Sequence, residues 1–223
     1  MPGALLGRDI DRLLRSGTRT GSATLNCDRA LVVFLICGGF YGAVMATFVL
    51  APDRLALMLF GAIKVPMLFG ITMLLAVPSF YVVSALRGVS NDFPKVFALL
   101  LDYQLLVALL LAALAPITAL VNATTPVSGY LAVQFWNSFA FLLAASIAQL
   151  KFAAQARQLV ARDSRHRLLL RMWSVLYAFI GIQMAWTLRP FIGQPGQAIS
   201  FFRPGKLDNA YVEIFSIFQD LLF

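Results

Sequence analysis

The stretch that decides the fold of this chain is LVVFLICGGFYGAVMATFVL, residues 31–50, in which no residue is charged. A helix of about 20 apolar residues matches the hydrocarbon thickness of a bilayer, about 30 Å. Within the stretch, Gly38, Gly39, Gly42 and Ala43 form overlapping small-xxx-small pairs. Such pairs let a second helix approach closely. The stretch therefore predicts a transmembrane helix with a packing face for a neighbouring helix.

The composition of the whole chain is that of a membrane protein. Of its 223 residues, 60% are hydrophobic and 13% are charged, and the mean hydropathy is +0.81. Soluble domains are about half apolar and a quarter charged, so the composition excludes a soluble fold. The net charge of +8 does not indicate nucleic-acid binding, because the basic residues flank apolar runs instead of covering one face. The predicted fold class is all-α, a polytopic transmembrane helix bundle.

Four further spans are predicted after the first. The 32 residues between Arg54 and Arg87 are too few for two spans and a turn, which need about 40 residues. One helix, bent near Pro66 or Pro78, is therefore predicted there, because each proline removes a backbone donor. The remaining spans are predicted at about 96–120, 131–150 and 172–188, and the fourth continues as a polar helix towards residue 162.

The five predicted spans divide the chain into an N-terminal segment (1–29), a transmembrane bundle (30–192) and a C-terminal segment (193–223). Each terminal segment contains an amphipathic pattern typical of helices that lie in the membrane interface or dock on a bundle. The apolar positions at helical spacing are Leu6, Ile10, Leu13 and Leu14 in the first segment, and Tyr211, Ile214, Phe215, Phe218 and Leu222 in the last.

Lysine and arginine are distributed unequally between the two sides of the predicted membrane. Thirteen lie in the N-terminal segment, the 87–95 loop and the 151–171 connection, against four in the alternate loops and the C-terminal segment. By the positive-inside rule, the N-terminus faces the cytoplasm and the C-terminus lies outside. We expect a multi-pass protein of a bacterial inner membrane with a periplasmic C-terminus.

The chain lacks the motifs of catalysis and metal binding. It contains no H-E-x-x-H, no G-x-S-x-G, no Walker loop and no CxxC pair, and Cys27 and Cys37 suggest no disulfide framework. The one histidine, His166, lies in the basic connector RDSRHR and is interpreted as a solvated or lipid-facing loop residue. Asn122 begins a glycosylation pattern on the predicted outer side. We predict no cofactor, no metal and no enzyme activity; the alternative is a membrane enzyme that acts on lipid.

The polar residues at membrane depth are the candidate site residues. A charged side chain at mid-span costs about 2.5–3.5 kcal/mol on insertion scales, so such groups face the bundle interior or water. These polar residues either form hydrogen bonds between helices or make up a ligand or ion site, and the sequence is compatible with both interpretations. The predicted outer cluster is Lys64, Gln134, Asn137, Gln183 and Arg189, and the predicted polar pair of the cytoplasmic half is Asp102 and Gln104.

Three stretches carry a family resemblance: IKVPMLFGITMLLAVPSFYVVSALRG (63–88), QMAWTLRPFIG (183–193) and FFRP (201–204). In these three stretches the chain resembles a family of uncharacterised bacterial integral membrane proteins. The five-span layout with a cytoplasmic N-terminus is similar to the Yip1 superfamily, although the Asp-Leu-Tyr-Gly-Pro signature of eukaryotic Yip1 proteins is absent. The resemblance implies an inner-membrane location and no particular activity.

Two functions are compatible with these features. The first is a non-enzymatic scaffold or accessory subunit of a membrane complex, favoured by the small size, the packing face and the two amphipathic segments. The alternative is an oligomeric channel or transporter in which the outer polar cluster lines a vestibule. The predicted partners are membrane lipids and other membrane proteins or further copies of the chain, and no nucleic acid.

Overall fold

The structure is a computed structural model that describes residues 27–49, 55–189, 191–193 and 199–202. These residues form no strand, and their long elements are five helices, which confirms the all-α fold class. All five are long and apolar enough to cross a membrane. Their bounds are α1 Cys27–Met45, α2 Leu55–Leu86, α3 Phe93–Thr124, α4 Tyr130–Arg162 and α5 Arg165–Thr187.

The second span is a single helix, as predicted, because α2 runs unbroken through Pro66 and Pro78. Each of the other helices begins before its predicted first residue. Helix α3 begins at Phe93 and carries a proline in its first turn, where a missing backbone N–H costs no hydrogen bond. Helix α5 begins at Arg165, before its apolar run, and only a two-residue connection separates it from α4. The amphipathic positions predicted near both termini lie outside the described residues.

The helices are arranged in the order α5–α2–α1–α3–α4. Helix α1 packs between α2 and α3, while α4 packs on α3 and α5 packs on α2; α4 and α5 make only a small contact with each other. The connections after α2 and α4 lie together at one end of the bundle, called here the basic end because of its arginines. The end of α1, the α3–α4 connection and the segment after α5 lie at the opposite end.

The backbones of α1 and α2 touch where two glycines meet. A Cβ added to Gly42 would overlap the carbonyl of Gly61, and a Cβ on Gly61 would overlap the carbonyl of Gly42. One helical turn away, a Cβ on Gly38 would lie 3.4 Å from the ring of Pro66. The four residues of the predicted packing face are buried or half-buried: Gly38, Gly39, Gly42 and Ala43. Small side chains therefore set the distance between these two helices.

An aromatic cluster joins α3, α4 and α5 towards the basic end. Tyr103 of α3 lies edge-on to Phe152 of α4, with ring centroids 6.1 Å apart, and edge-on to Trp173 of α5 at 5.8 Å. Tyr177, one turn along α5, lies 4.9 Å from Trp173. Such ring pairs contribute about 0.5–1.5 kcal/mol each beyond the burial of their area. The cluster fixes the position of α5, which otherwise contacts only α2 extensively.

Candidate functional site

Lys64, one of the two cations of the predicted cluster, is buried within the protein. It stands on α2 towards the opposite end, and its side chain is 0% exposed. Its ammonium nitrogen lies 4.9 Å from the ring centroid of Phe201 and 6.0 Å from that of Phe191, both in the segment that follows α5. A desolvated cation over an aromatic ring gains about 2 kcal/mol or more. Phe191 and Phe201 therefore pack against the ammonium group of the buried lysine.

Arg189 lies just past the end of α5. Its guanidinium carbon lies 3.1 Å from the ring centroid of Trp186, and its Nε donates to the carbonyl of the same residue at 3.1 Å. A positive charge at a helix C-terminus is also stabilised by the helix dipole. Gln183, one turn before the last residue of α5, is half-buried. Its backbone carbonyl accepts a hydrogen bond from the hydroxyl of Thr187 at 2.9 Å. The arginine thus closes the end of its own helix.

The structure separates the two polar residues that α4 contributes to the predicted cluster. Asn137 is buried, accepts from the hydroxyl of Tyr41 on α1 at 3.0 Å, and donates to the carbonyl of Val133 at 2.8 Å. Gln134 is exposed. The buried stripe of α4 includes Val133, Asn137 and Ala140, so a residue one position after Val133 is rotated by about 100° towards the surroundings of the bundle. The predicted convergence of all five residues fails at Gln134.

Asp102 and Gln104 face different helices. The amide nitrogen of Gln104 donates to the carbonyl of Phe69 on α2 and to the hydroxyl of Tyr177 on α5, both at 2.8 Å. Asp102 is half-buried and faces Lys151 of α4 across a small gap, within range of electrostatic attraction. Residues two apart in a helix are about 200° apart around its axis. The two side chains therefore do not form one site.

The interpretation of His166 as a solvated loop residue is wrong. Its side chain is 1% exposed, because α5 begins at Arg165 and places the histidine in the first helical turn. Its Nδ1 lies 3.2 Å from the carbonyl oxygen of Asp163, and its Nε2 lies 3.5 Å from a carboxylate oxygen of Asp92. Arg165 donates to the carbonyl of Arg87 at 3.0 Å, and its hydrogen bond to Asp163 holds the pKa of that carboxyl below its usual value. These contacts join the two turns of the basic end.

A second polar contact, which was not predicted from the sequence, lies at the opposite end. Asn122 is buried, and its amide donates to the carbonyl of Val44 at 3.0 Å and to the hydroxyl of Thr47 at 3.1 Å, which caps the end of α1. The glycosylation pattern at this residue is therefore not presented at the surface. Trp136 of α4 donates to the hydroxyl of Thr118 at 3.0 Å. The four-residue spacing of Thr118 and Asn122 on α3 is the sequence signal for this polar stripe.

Within the described ranges, no group of three or more His, Cys, Asp or Glu side chains lies together as a metal site would require. No protein-family model, no curated protein and no solved structure matches the chain. The family resemblance drawn from the sequence therefore stays a prediction.

Proposed function

We propose that this chain is a non-enzymatic scaffold or accessory subunit of a complex in a bacterial inner membrane. The observation that carries the proposal is the use of its buried polar side chains to join helices. Gln104 joins α3 to α2 and α5, Asn137 joins α4 to α1, and Asn122 joins α3 to the end of α1. Hydrogen bonds of this kind between helices stabilise one arrangement of the bundle, which supports a structural role.

The face that a partner would use lies on α4 and α5. Of the most apolar 18-residue stretch of each helix, only 28% is buried inside the bundle in α4 and 22% in α5, against 39–44% in α1, α2 and α3. Large apolar side chains cover the remaining surface: Phe135, Phe139, Leu142, Phe179 and Ile182. Lipid or a partner helix can cover such a face, and transmembrane helices associate by close packing of side chains. We assign this α4–α5 face to a transmembrane helix of a partner subunit.

The alternative, a channel or transporter, would use Lys64 and Arg189 to line an outer vestibule. Both cations lie against aromatic rings, Lys64 beside Phe201 and Arg189 beside Trp186. Gln134 is exposed on the outer surface of α4. This arrangement favours a structural role for the cluster over a solute pathway.

Site-specific photocrosslinking in intact membranes tests the scaffold role. A photoreactive amino acid at Leu142 or Ile182, both on the α4–α5 face, is expected to yield discrete protein adducts. The same amino acid at Ile36, which is exposed on α1, serves as the matched control and is expected to yield mainly lipid adducts.

Equal adducts at all three positions would argue against a dedicated partner face. Purified protein that conducts ions or solutes across phosphatidylglycerol–phosphatidylcholine vesicles, with the flux lost in Lys64→Met, would replace the scaffold role with the transport alternative.

A further inference from the structure

A cleft of about 710 Å³ opens between α4 and α5 at the basic end. The two helices are held together at its inner limit, where the amide of Gln149 donates to the hydroxyl of Ser174 at 2.7 Å. Phe152, a member of the aromatic cluster, forms part of its wall, and Ala153 and Val175 also line it. Beyond the hydrogen bond the helices make little contact, so the cleft is open to the surroundings of the bundle.

Three arginines line this apolar cleft. Arg157 lies on α4, and Arg167 and Arg171 lie one turn apart on the same side of α5. All three side chains are exposed, and none has a carboxylate partner in the part of the chain that the structure describes. The neighbouring Arg165, by contrast, forms an ion pair with Asp163 at 2.7 Å. The cleft therefore combines apolar walls with uncompensated positive charge.

The helix lengths place the three arginines outside the expected hydrocarbon core, on the side of the lipid headgroups. Helix α4 has 33 residues and is therefore about 50 Å long, whereas the hydrocarbon core is about 30 Å thick, or about 20 helical residues. If the hydrocarbon begins at Tyr130, it ends near Leu150, and Arg157 lies about two turns beyond it, within reach of the headgroups through its long side chain. On the other wall, Arg171 comes directly before the apolar run of α5. Exposed Leu150 and Val175 continue the apolar surface inward from the cleft.

We propose that this cleft binds one anionic glycerophospholipid of the leaflet at the basic end. The phosphate is held by Arg157, Arg167 and Arg171, and the acyl chains lie against Leu150 and Val175 next to the cleft, on the basic-end side of the face assigned to a partner helix. Arginine forms forked hydrogen bonds with phosphate oxygens, and each basic residue near an anionic membrane surface strengthens binding about fivefold. The proposal is independent of the scaffold role, because it needs no protein partner.

Native mass spectrometry of the full chain in mild detergent, after removal of co-purified lipid, tests the site. The lipid is dioleoyl phosphatidylglycerol, with dioleoyl phosphatidylcholine as the zwitterionic comparison. The double substitution Arg157→Gln with Arg171→Gln is expected to weaken binding of the anionic lipid about 10- to 30-fold. Arg87→Gln with Arg162→Gln removes the same charge from the same end outside the cleft, and it is expected to leave binding within about threefold of the unmodified chain.

A substitution that fills the cleft without changing its charge tests whether the lipid occupies the cleft. Ala153→Trp is expected to reduce binding of phosphatidylglycerol at least fivefold, whereas Ala132→Trp, at an exposed position near the other end of α4, is expected to leave it unchanged. Equal losses in the two arginine pairs would overturn the proposal, because binding would then follow net charge alone. Thermal stabilisation by inorganic phosphate equal to that by phosphatidylglycerol would also overturn it and would assign the cleft to a soluble anion.

Discussion

At the scale of single residues, Gln104 is the side chain whose role the structure defines best. It is buried, and its amide nitrogen donates to α2 through the carbonyl of Phe69 and to α5 through the hydroxyl of Tyr177. Gln134 is chemically identical but exposed on α4. The same substitution at the two glutamines therefore compares a buried side chain with an exposed one of the same chemistry.

We predict that Gln104→Leu lowers the free energy of unfolding by about 0.6–1.7 kcal/mol, the range measured for interhelical hydrogen bonds in membranes. Gln134→Leu is expected to change it by less than about 0.5 kcal/mol, because its polar group bonds no other helix. Thermal or denaturant unfolding in mild detergent measures both. A double-mutant cycle with Tyr177→Phe should give a coupling energy of about 0.5 kcal/mol or more with Gln104. Additive effects of the two substitutions would show that this hydrogen bond contributes nothing.

At the scale of elements, the contact between α1 and α2 depends on the absence of side chains at two positions. Gly42 and Gly61 oppose each other so closely that a Cβ on either would overlap the backbone of the other helix. Gly70 lies on the same helix as Gly61, but nothing lies within 4 Å of the position its Cβ would take. Alanine at the two positions of α2 should therefore have opposite effects.

Gly61→Ala is expected to destabilise the protein by about 1–3 kcal/mol, because the helix backbones must separate. Gly70→Ala is expected to stabilise it by about 0.5–1 kcal/mol, because alanine loses less backbone entropy in a helix. The measurement is again unfolding in mild detergent. Stabilisation by both substitutions would mean that α1 and α2 do not pack at this crossing.

At the scale of the whole molecule, the distribution of positive charge predicts which end of the bundle faces the cytoplasm. The basic end carries the turns at 87–92 and 163–166, and the predicted orientation places it inside. A reporter that is active only in the periplasm should be active when fused after Phe223 and inactive when inserted at Asp163. A cytoplasmic reporter at the same sites is the control and should give the reciprocal result. Activity in the reverse pattern would invert the orientation of the whole bundle.

The sequence by itself determined the fold class, the five long apolar helices of the described residues and the single helix of the second of them. Each follows from local properties: about 20 apolar residues make a span, and the 32 residues between Arg54 and Arg87 leave no room for two. The tendency of small residues to lie at helix contacts is also local, and it marked α1 as a packing helix.

Only the tertiary structure decided which helices are neighbours and how each is rotated about its axis. Apolar residues lie on all sides of α2, and lipid tails are as apolar as a protein core, so the hydropathy of these residues does not distinguish the buried face from the lipid-facing one. The inward position of Gln104, the outward position of Gln134 and the burial of His166 therefore follow from packing between residues far apart in sequence. The cleft between α4 and α5 has the same origin, since neither helix alone contains it.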